Sequence, residues 1–225
     1  MIDRPLLAFD TSGPHVAASL SDGDVAVETL FEPMARGQAE ALMPNLQNLL
    51  AAHGLSWSDL HAIGVGVGPG NFTGIRISVS AARGLGLALG IPVIGLSAFA
   101  LRRNPNVPAA KANELVTLAA PRDQVYAQTF RYGLAEGLPM VFDPANPPDH
   151  LRRVNLEVTG DHAEAIAKML GGQADPGPME DLPRRMAHLT DRLCRESSTH
   201  PAPTPLYVRP ADAAPPKDAA PAILP

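Results

Sequence analysis

Gly66-Val67-Gly68-Pro69-Gly70-Asn71-Phe72-Thr73-Gly74-Ile75-Arg76 is the stretch that decides the fold. An apolar run over residues 62–67 leads into it, and helical periodicity follows it to about Gly90, so the chain reads as strand, tight loop and helix, an α/β crossover. Glycines 66, 68 and 70 leave backbone N–H groups uncovered by side chains, which suits either a ligand loop or a turn that needs positive φ. A phosphate-binding P-loop is excluded because no Gly-Lys-Ser/Thr follows, and the nearest cation is Arg76. No G-x-G-x-x-G opens the helix, so a dinucleotide fingerprint does not fit either.

Within the helix, Gly74, Ser78, Ala82, Gly86 and Gly90 fall four residues apart, with Ile75, Val79, Leu85 and Leu89 alongside. One face therefore carries almost no side chain. Glycine in a helix interior costs roughly 1 kcal/mol against alanine, so such a stripe implies compensation by close packing. It suits the chain's own sheet or a helix of another protein.

The 225 residues, 45% hydrophobic with mean hydropathy +0.00, describe an ordinary globular chain long enough for two lobes. No apolar run is long enough to span a bilayer, which predicts no membrane association. Residues 1–5 lack a cationic region or a cleavage site, and Cys194 is the only cysteine; both fit a cytoplasmic protein without disulfides. A formal net charge of −5 argues against nucleic-acid binding by the chain alone.

Read in order, residues 6–9 form a buried strand ending in Asp10-Thr11-Ser12-Gly13, residues 15–21 a second strand, and Asp22-Gly23-Asp24 a hairpin into a third over 25–31. Taken alone, an aspartate at the position of Asp10 is more often a turn-capping residue than a catalytic one. Residues 36–53 are helical, with Leu42, Leu46, Leu49 and Leu50 on one face and Pro44 predicted to start or bend the helix. Ser56-Trp57-Ser58-Asp59 resembles a capping box, and Trp57 reads as a packing residue. After Gly90 come a strand over 91–96 and a helix capped by Ser97. The lobe boundary is expected at the proline-rich break 104–108. Strands are predicted over 114–118, 124–132, 138–142 and 156–158, and helices over 161–170 and around Leu182, Met186, Leu189 and Leu193. The domains are thus 1–103, a smaller lobe 104–200, and a proline- and alanine-rich tail 201–225, disordered beyond Arg209, in which Leu206-Tyr207-Val208 is a short strand or anchored segment. No internal repeat is evident.

Catalytic equipment is sparse. No histidine has another three to five residues away, no G-x-S-x-G appears, Cys194 lies on an apolar-periodic helix, and Asp10, Asp22, Asp24, Glu40 and Asp59 are dispersed. No metal site and no catalytic residue are expected.

Leu7-Ala8-Phe9-Asp10-Thr11-Ser12, Glu40-Ala41-Leu42-Met43-Pro44, the glycine motif through Ile77, and Pro205-Leu206-Tyr207-Val208-Arg209-Pro210 resemble the TsaB (YeaZ) family, paralogous to the TsaD glycoprotease-like family. The resemblance is specific over about 5–100 and loose over 101–200. It implies an α/β, actin-like (ASKHA, ribonuclease H-like) two-lobed fold with mixed sheets flanked by helices. It also implies a degenerate nucleotide cleft at Asp10, Thr11, Ser12, Gly68 and Gly70. The role implied is a non-catalytic partner of TsaD, with the TsaE ATPase completing a system that transfers threonylcarbamoyl to N6 of adenosine 37 in ANN-decoding tRNAs. The chain itself would hold no cofactor, a nucleotide belonging to the assembly, and tRNA would be met only through the complex. TsaD would pack on Leu42, Leu46, Leu49, Gly74, Ser78, Ala82 and Gly86, and the same surface would form a homodimer without TsaD. The enzyme alternative is an actin-like-fold, glycopeptidase-like hydrolase or kinase-like protein. Two departures stand out: Gln38 where many relatives have His, and Ala119-Ala120-Pro121-Arg122-Asp123-Gln124-Val125-Tyr126 where they read close to Asp-Ala-Arg-x-x-Glu-Val-Tyr.

Overall fold

The computed structural model describes residues 2–103, 113–175, 177, 181–197 and 199–208. Strands β1 (Pro5–Asp10) and β4 (Ala62–Gly68) are buried along their whole length, as continuous apolar runs must be when helices cover both faces of a sheet. With β2 (His15–Asp22), β3 (Val25–Pro33) and β5 (Val93–Ser97) they form a five-stranded sheet in the order β3-β2-β1-β4-β5. β1 runs antiparallel to β2 and parallel to β4, which in turn is parallel to β5.

Helices α1 (Gln38–Ala51) and α2 (Phe72–Leu89) cover one face of this sheet, closing Leu42, Leu46, Leu49, Leu50, Ile75 and Val79 over Leu7, Phe9, Val16, Ala18, Ile63 and Val65. On the opposite face Leu6, Ala8, Ala17, Ala62, Ile94 and Leu96 meet Leu101 of α3 (Ala98–Arg102) and Met186 and Leu189 of α5 (Leu182–Glu196). α1 starts six residues before Pro44 and continues through it without interruption. The hydrogen bond missing there belongs to the carbonyl of Glu40, and since Glu40 and Pro44 are both exposed, water can take it.

The second sheet contains β6 (Asn113–Ala120), β7 (Gln124–Arg131), β8 (Leu134–Phe142), β9 (Leu156–Gly160) and β10 (Gln173–Asp175), ordered β10-β9-β6-β7-β8. Helix α4 (Ala163–Leu170) packs Ile166, Ala167 and Leu170 on Leu115, Val125, Leu156 and Val158. β6 is antiparallel to β7, parallel to β9, and central, so this sheet repeats the plan of the first. The expectation of no internal repeat therefore holds for sequence and fails for topology. Two lobes of mixed sheet flanked by helices make the expected actin-like fold.

The domain boundaries need correction. α5, assigned to the second lobe, returns to the first, where Met186 and Leu189 enter its core. The segment after it is anchored there as well: Leu206 N–H donates to the Val67 carbonyl (2.8 Å) and Pro203 is buried against Gly95, while Leu206 and Val208 also pack on Phe99, Val116 and Phe130. The first lobe is thus 2–103 together with about 182–208. The break at 104–108 and the tail beyond Arg209 lie outside the described residues. Among the described residues no helix is long and apolar enough to cross a membrane.

The predicted docking residues are also corrected. Leu42, Leu46, Leu49, Gly74, Ser78, Ala82 and Gly86 are buried inside the chain's own first lobe. A methyl group added at Gly74 would overlap the Thr11 carbonyl, one at Gly86 would overlap Val93, and the Ser78 hydroxyl donates to the Gly66 carbonyl (3.2 Å). The bare stripe lets α2 settle on its own sheet.

Candidate functional site: the cleft at the end of the first strand

The carboxyl end of β1 opens into a cavity of about 250 Å³ between the lobes, lined by Asp10, Ser12, Gly13, His15, the loop residues Gly66, Gly68, Pro69 and Gly70, and on its far side Leu118, Arg102 and Arg185. A strand end beside a crossover loop is where open α/β sheets place ligands. Gly68 has φ +87, a conformation only glycine adopts readily, and a methyl at Gly70 would overlap the Ser12 carbonyl. Asn71 N–H donates to that carbonyl (2.6 Å), drawing the loop against the first turn. α2 then starts on an Asn71 side-chain cap, whose oxygen accepts from Gly74 N–H at 2.9 Å.

The structure brings Asp10, Ser12, Gly68 and Gly70 together at the cavity. Thr11 points elsewhere, its hydroxyl donating to the Gly74 carbonyl at 2.7 Å. Asp10 is 4% exposed and its two oxygens are engaged: Oδ1 accepts from Ser12 N–H (3.1 Å), and Oδ2 accepts from the Ser12 hydroxyl (2.9 Å) and faces His15 Nε2 at 3.0 Å. A carboxylate only accepts, so Nε2 carries the hydrogen.

His15, Arg102 and Arg185 were not singled out from sequence. The signal for His15 was available: the turn Ser12-Gly13-Pro14 folds the second strand back beside the end of the first, within reach of Asp10. The arginines carried no such signal, because only the return of α5 and the placement of α3 bring them to the cleft. Arg185 donates to the Leu101 carbonyl (2.6 Å), tying those two helices, and Arg102 Nε is buried with no hydrogen-bond partner among the described residues. Among the described residues no group of three His, Cys, Asp or Glu could hold a metal ion.

A second surface lies outside the cleft, on the outer faces of α1 and α2. Leu87 is 88% exposed and Met43 38%, while a side chain added at Gly84 would meet nothing. Phe72 stacks on Tyr207 (4.9 Å between rings), Arg76 lies 3.8 Å over Phe72, and Arg76 Nε donates to the Tyr207 hydroxyl (3.0 Å), so the carboxyl-terminal segment borders this surface.

Residues 32–143 match the family model described as TsaD, tRNA N6-adenosine threonylcarbamoyltransferase. Among solved structures, YeaZ from Pseudomonas aeruginosa is 25% identical with a TM-score of 0.62, the alignment covering 85% of this chain and 93% of that one. Another structure, described as an uncharacterized protein with similarity to peptidase YEAZ from Pseudomonas aeruginosa, is 24% identical with a TM-score of 0.67, over 92% of this chain and all of that one. A ROK family protein from Streptococcus pneumoniae shares the fold at a TM-score of 0.51 and 10% identity, over 85% of this chain and 99% of the other. No curated protein matches the sequence.

Proposed function

We propose that this chain, a TsaB (YeaZ)-like protein by its family-model and structural matches, acts in threonylcarbamoyladenosine biosynthesis as a scaffold subunit without chemistry of its own. Its partner is a TsaD-family transferase, which supplies the active site, joined by a TsaE-type ATPase; tRNA is met through the assembly, in the cytoplasm. A nucleotide, where one is used, belongs to the assembly.

The observation that carries this reading is the outer face of α2. Arg76, Ser80, Gly84 and Leu87 follow one another at helical spacing and are all exposed, with Leu87 a bare apolar knob beside the open slot at Gly84. A second helix can approach closely at such a slot, and an aliphatic knob in a fitted pocket is the kind of contact that carries binding energy. This reading keeps the docking helices expected from sequence and turns them over. The cleft gives further support, since both oxygens of Asp10 accept hydrogen bonds from Ser12 or His15 and, among the described residues, no second carboxylate lines the cavity.

The test is to purify the tagged protein from its own cells and to ask whether it restores threonylcarbamoyladenosine to a strain lacking it. The expected result is stoichiometric co-purification of the TsaD-family protein and full restoration. Peptide hydrolysis or ATP turnover by the isolated chain, with restoration independent of any partner, would establish the hydrolase or kinase-like alternative.

A further inference from the structure

The fold suggests a metal-bound nucleotide between the lobes, and the cleft residues do not fit one. A magnesium ion needs oxygen ligands with free lone pairs in near-octahedral geometry. Asp10, the carboxylate at the mouth of the cleft, already accepts hydrogen bonds from Ser12 N–H and the Ser12 hydroxyl, with His15 Nε2 on the same oxygen as the hydroxyl. The end of β6, across the cleft, reads Thr117-Leu118-Ala119-Ala120, and the carboxylate beside it, Asp161, accepts from Ala119 N–H (2.8 Å) outside the cavity lining. The cavity of about 250 Å³ is also smaller than the roughly 300–1,000 Å³ of ordinary ligand pockets.

The His15–Asp10 contact is held on three sides. A methyl at Gly66 would overlap the Asp10 carboxylate, and one at Gly13 would overlap the His15 ring, so both groups fill space that only glycine leaves. Phe31 covers the imidazole from the edge strand, its ring centroid 5.1 Å away. The side chains are 14% and 5% exposed, so water screens the contact little.

We infer that His15 is a specificity-determining residue that closes this cleft to a divalent cation and its nucleotide by occupying Asp10. The inference rests on the cleft geometry alone and stands whether or not the chain acts as a scaffold. A hydrogen bond to a charged group has a net worth equivalent to about tenfold or more in binding, so releasing Asp10 is expected to improve cation binding by that factor.

The experiment uses the full chain with manganese, alone and with ATP. It reads affinity by equilibrium dialysis and location by paramagnetic broadening of the Ser12, Gly66 and Gly70 amide resonances. The wild type is expected to bind weakly and show no selective broadening. His15→Ala, which frees Asp10, and Gly13→Ala, which displaces the ring without deleting it, are each expected to bind about tenfold tighter or more and to broaden those resonances. His15→Gln retains a donor for Asp10 and should stay closed. Gly13→Ala keeps the test decisive if His15→Ala fails to fold. Selective broadening in the wild type, unchanged affinity in the opened variants, or a His15→Gln variant as open as His15→Ala would each overturn the inference.

Discussion

In the first lobe the end of β1 presses its backbone against glycine: the Thr11 carbonyl lies on Gly74 and the Asp10 carboxylate on Gly66. The second lobe has the same strand order but a single close approach of this kind at the matching place, the Thr117 carbonyl on Gly160. The helices that follow differ more. α2 has 18 residues and an asparagine cap, whereas α4 has 8 and begins at His162 with φ 59 and no side-chain cap. One topological plan was thus built out to different lengths, and the longer copy offers a cavity on one side and, among the described residues, an uncovered helix face on the other. The shorter copy closes the fold: Val116 and Phe130 meet Phe99 of the first lobe and the carboxyl-terminal segment.

Several measurements would sharpen or break this contrast. The largest effect is expected from Ala82→Arg, which forces an unpaired charge between α2 and β4. It should remove roughly 5 kcal/mol or more and leave no cooperative urea transition. A folded Ala82→Arg protein would return the stripe to the surface. Where the second lobe meets the first, the comparable liability is electrostatic. Arg103 grips Glu114 through Nε (2.8 Å) and Nη2 (2.5 Å), with side chains 13% and 7% exposed. Arg103→Ala leaves a buried carboxylate alone, and the urea midpoint should report a loss of about 3–5 kcal/mol.

The two helix starts provide a smaller test. Asn71→Ala should lose about 1 kcal/mol, since Gly74 N–H loses its acceptor. His162→Gly should be neutral or gain up to about 0.5 kcal/mol, because glycine accepts the left-handed backbone that His162 now holds. Equal losses at the two sites would show that the starts are equivalent after all.

Much of this was legible in the sequence for definite reasons. Buried central strands read as apolar runs, Asp22-Gly23 marks the first hairpin, and the glycine loop marks the crossover. The Ser56–Asp59 capping box forms as predicted, and the Ser56 hydroxyl and N–H hold the Asp59 carboxyl below its usual range. Ser97, by contrast, makes no capping bond. What could not be read was partner choice. The period of α5 shows that it has an apolar face, but not that the face belongs to the first sheet. The stripe on α2 shows close packing, but its direction is set by the strand ends beneath, where the Gly66 carbonyl accepts from the Ser78 hydroxyl and the Thr11 hydroxyl donates to the Gly74 carbonyl. β10, of three residues, is too short to have a period, and the repeated topology survives without a repeated sequence.

The central claim is that the outer face of α2, and not its buried stripe, meets the partner. Leu87→Asp and Gly84→Arg alter only exposed positions and should shift stability by less than about 0.5 kcal/mol. The deciding measurement is the dissociation constant of each variant with the purified TsaD-family protein, taken beside its unfolding curve. The account predicts a loss of at least about 2 kcal/mol in association, near thirtyfold, with an unchanged urea midpoint. Wild-type affinity in both variants would contradict it.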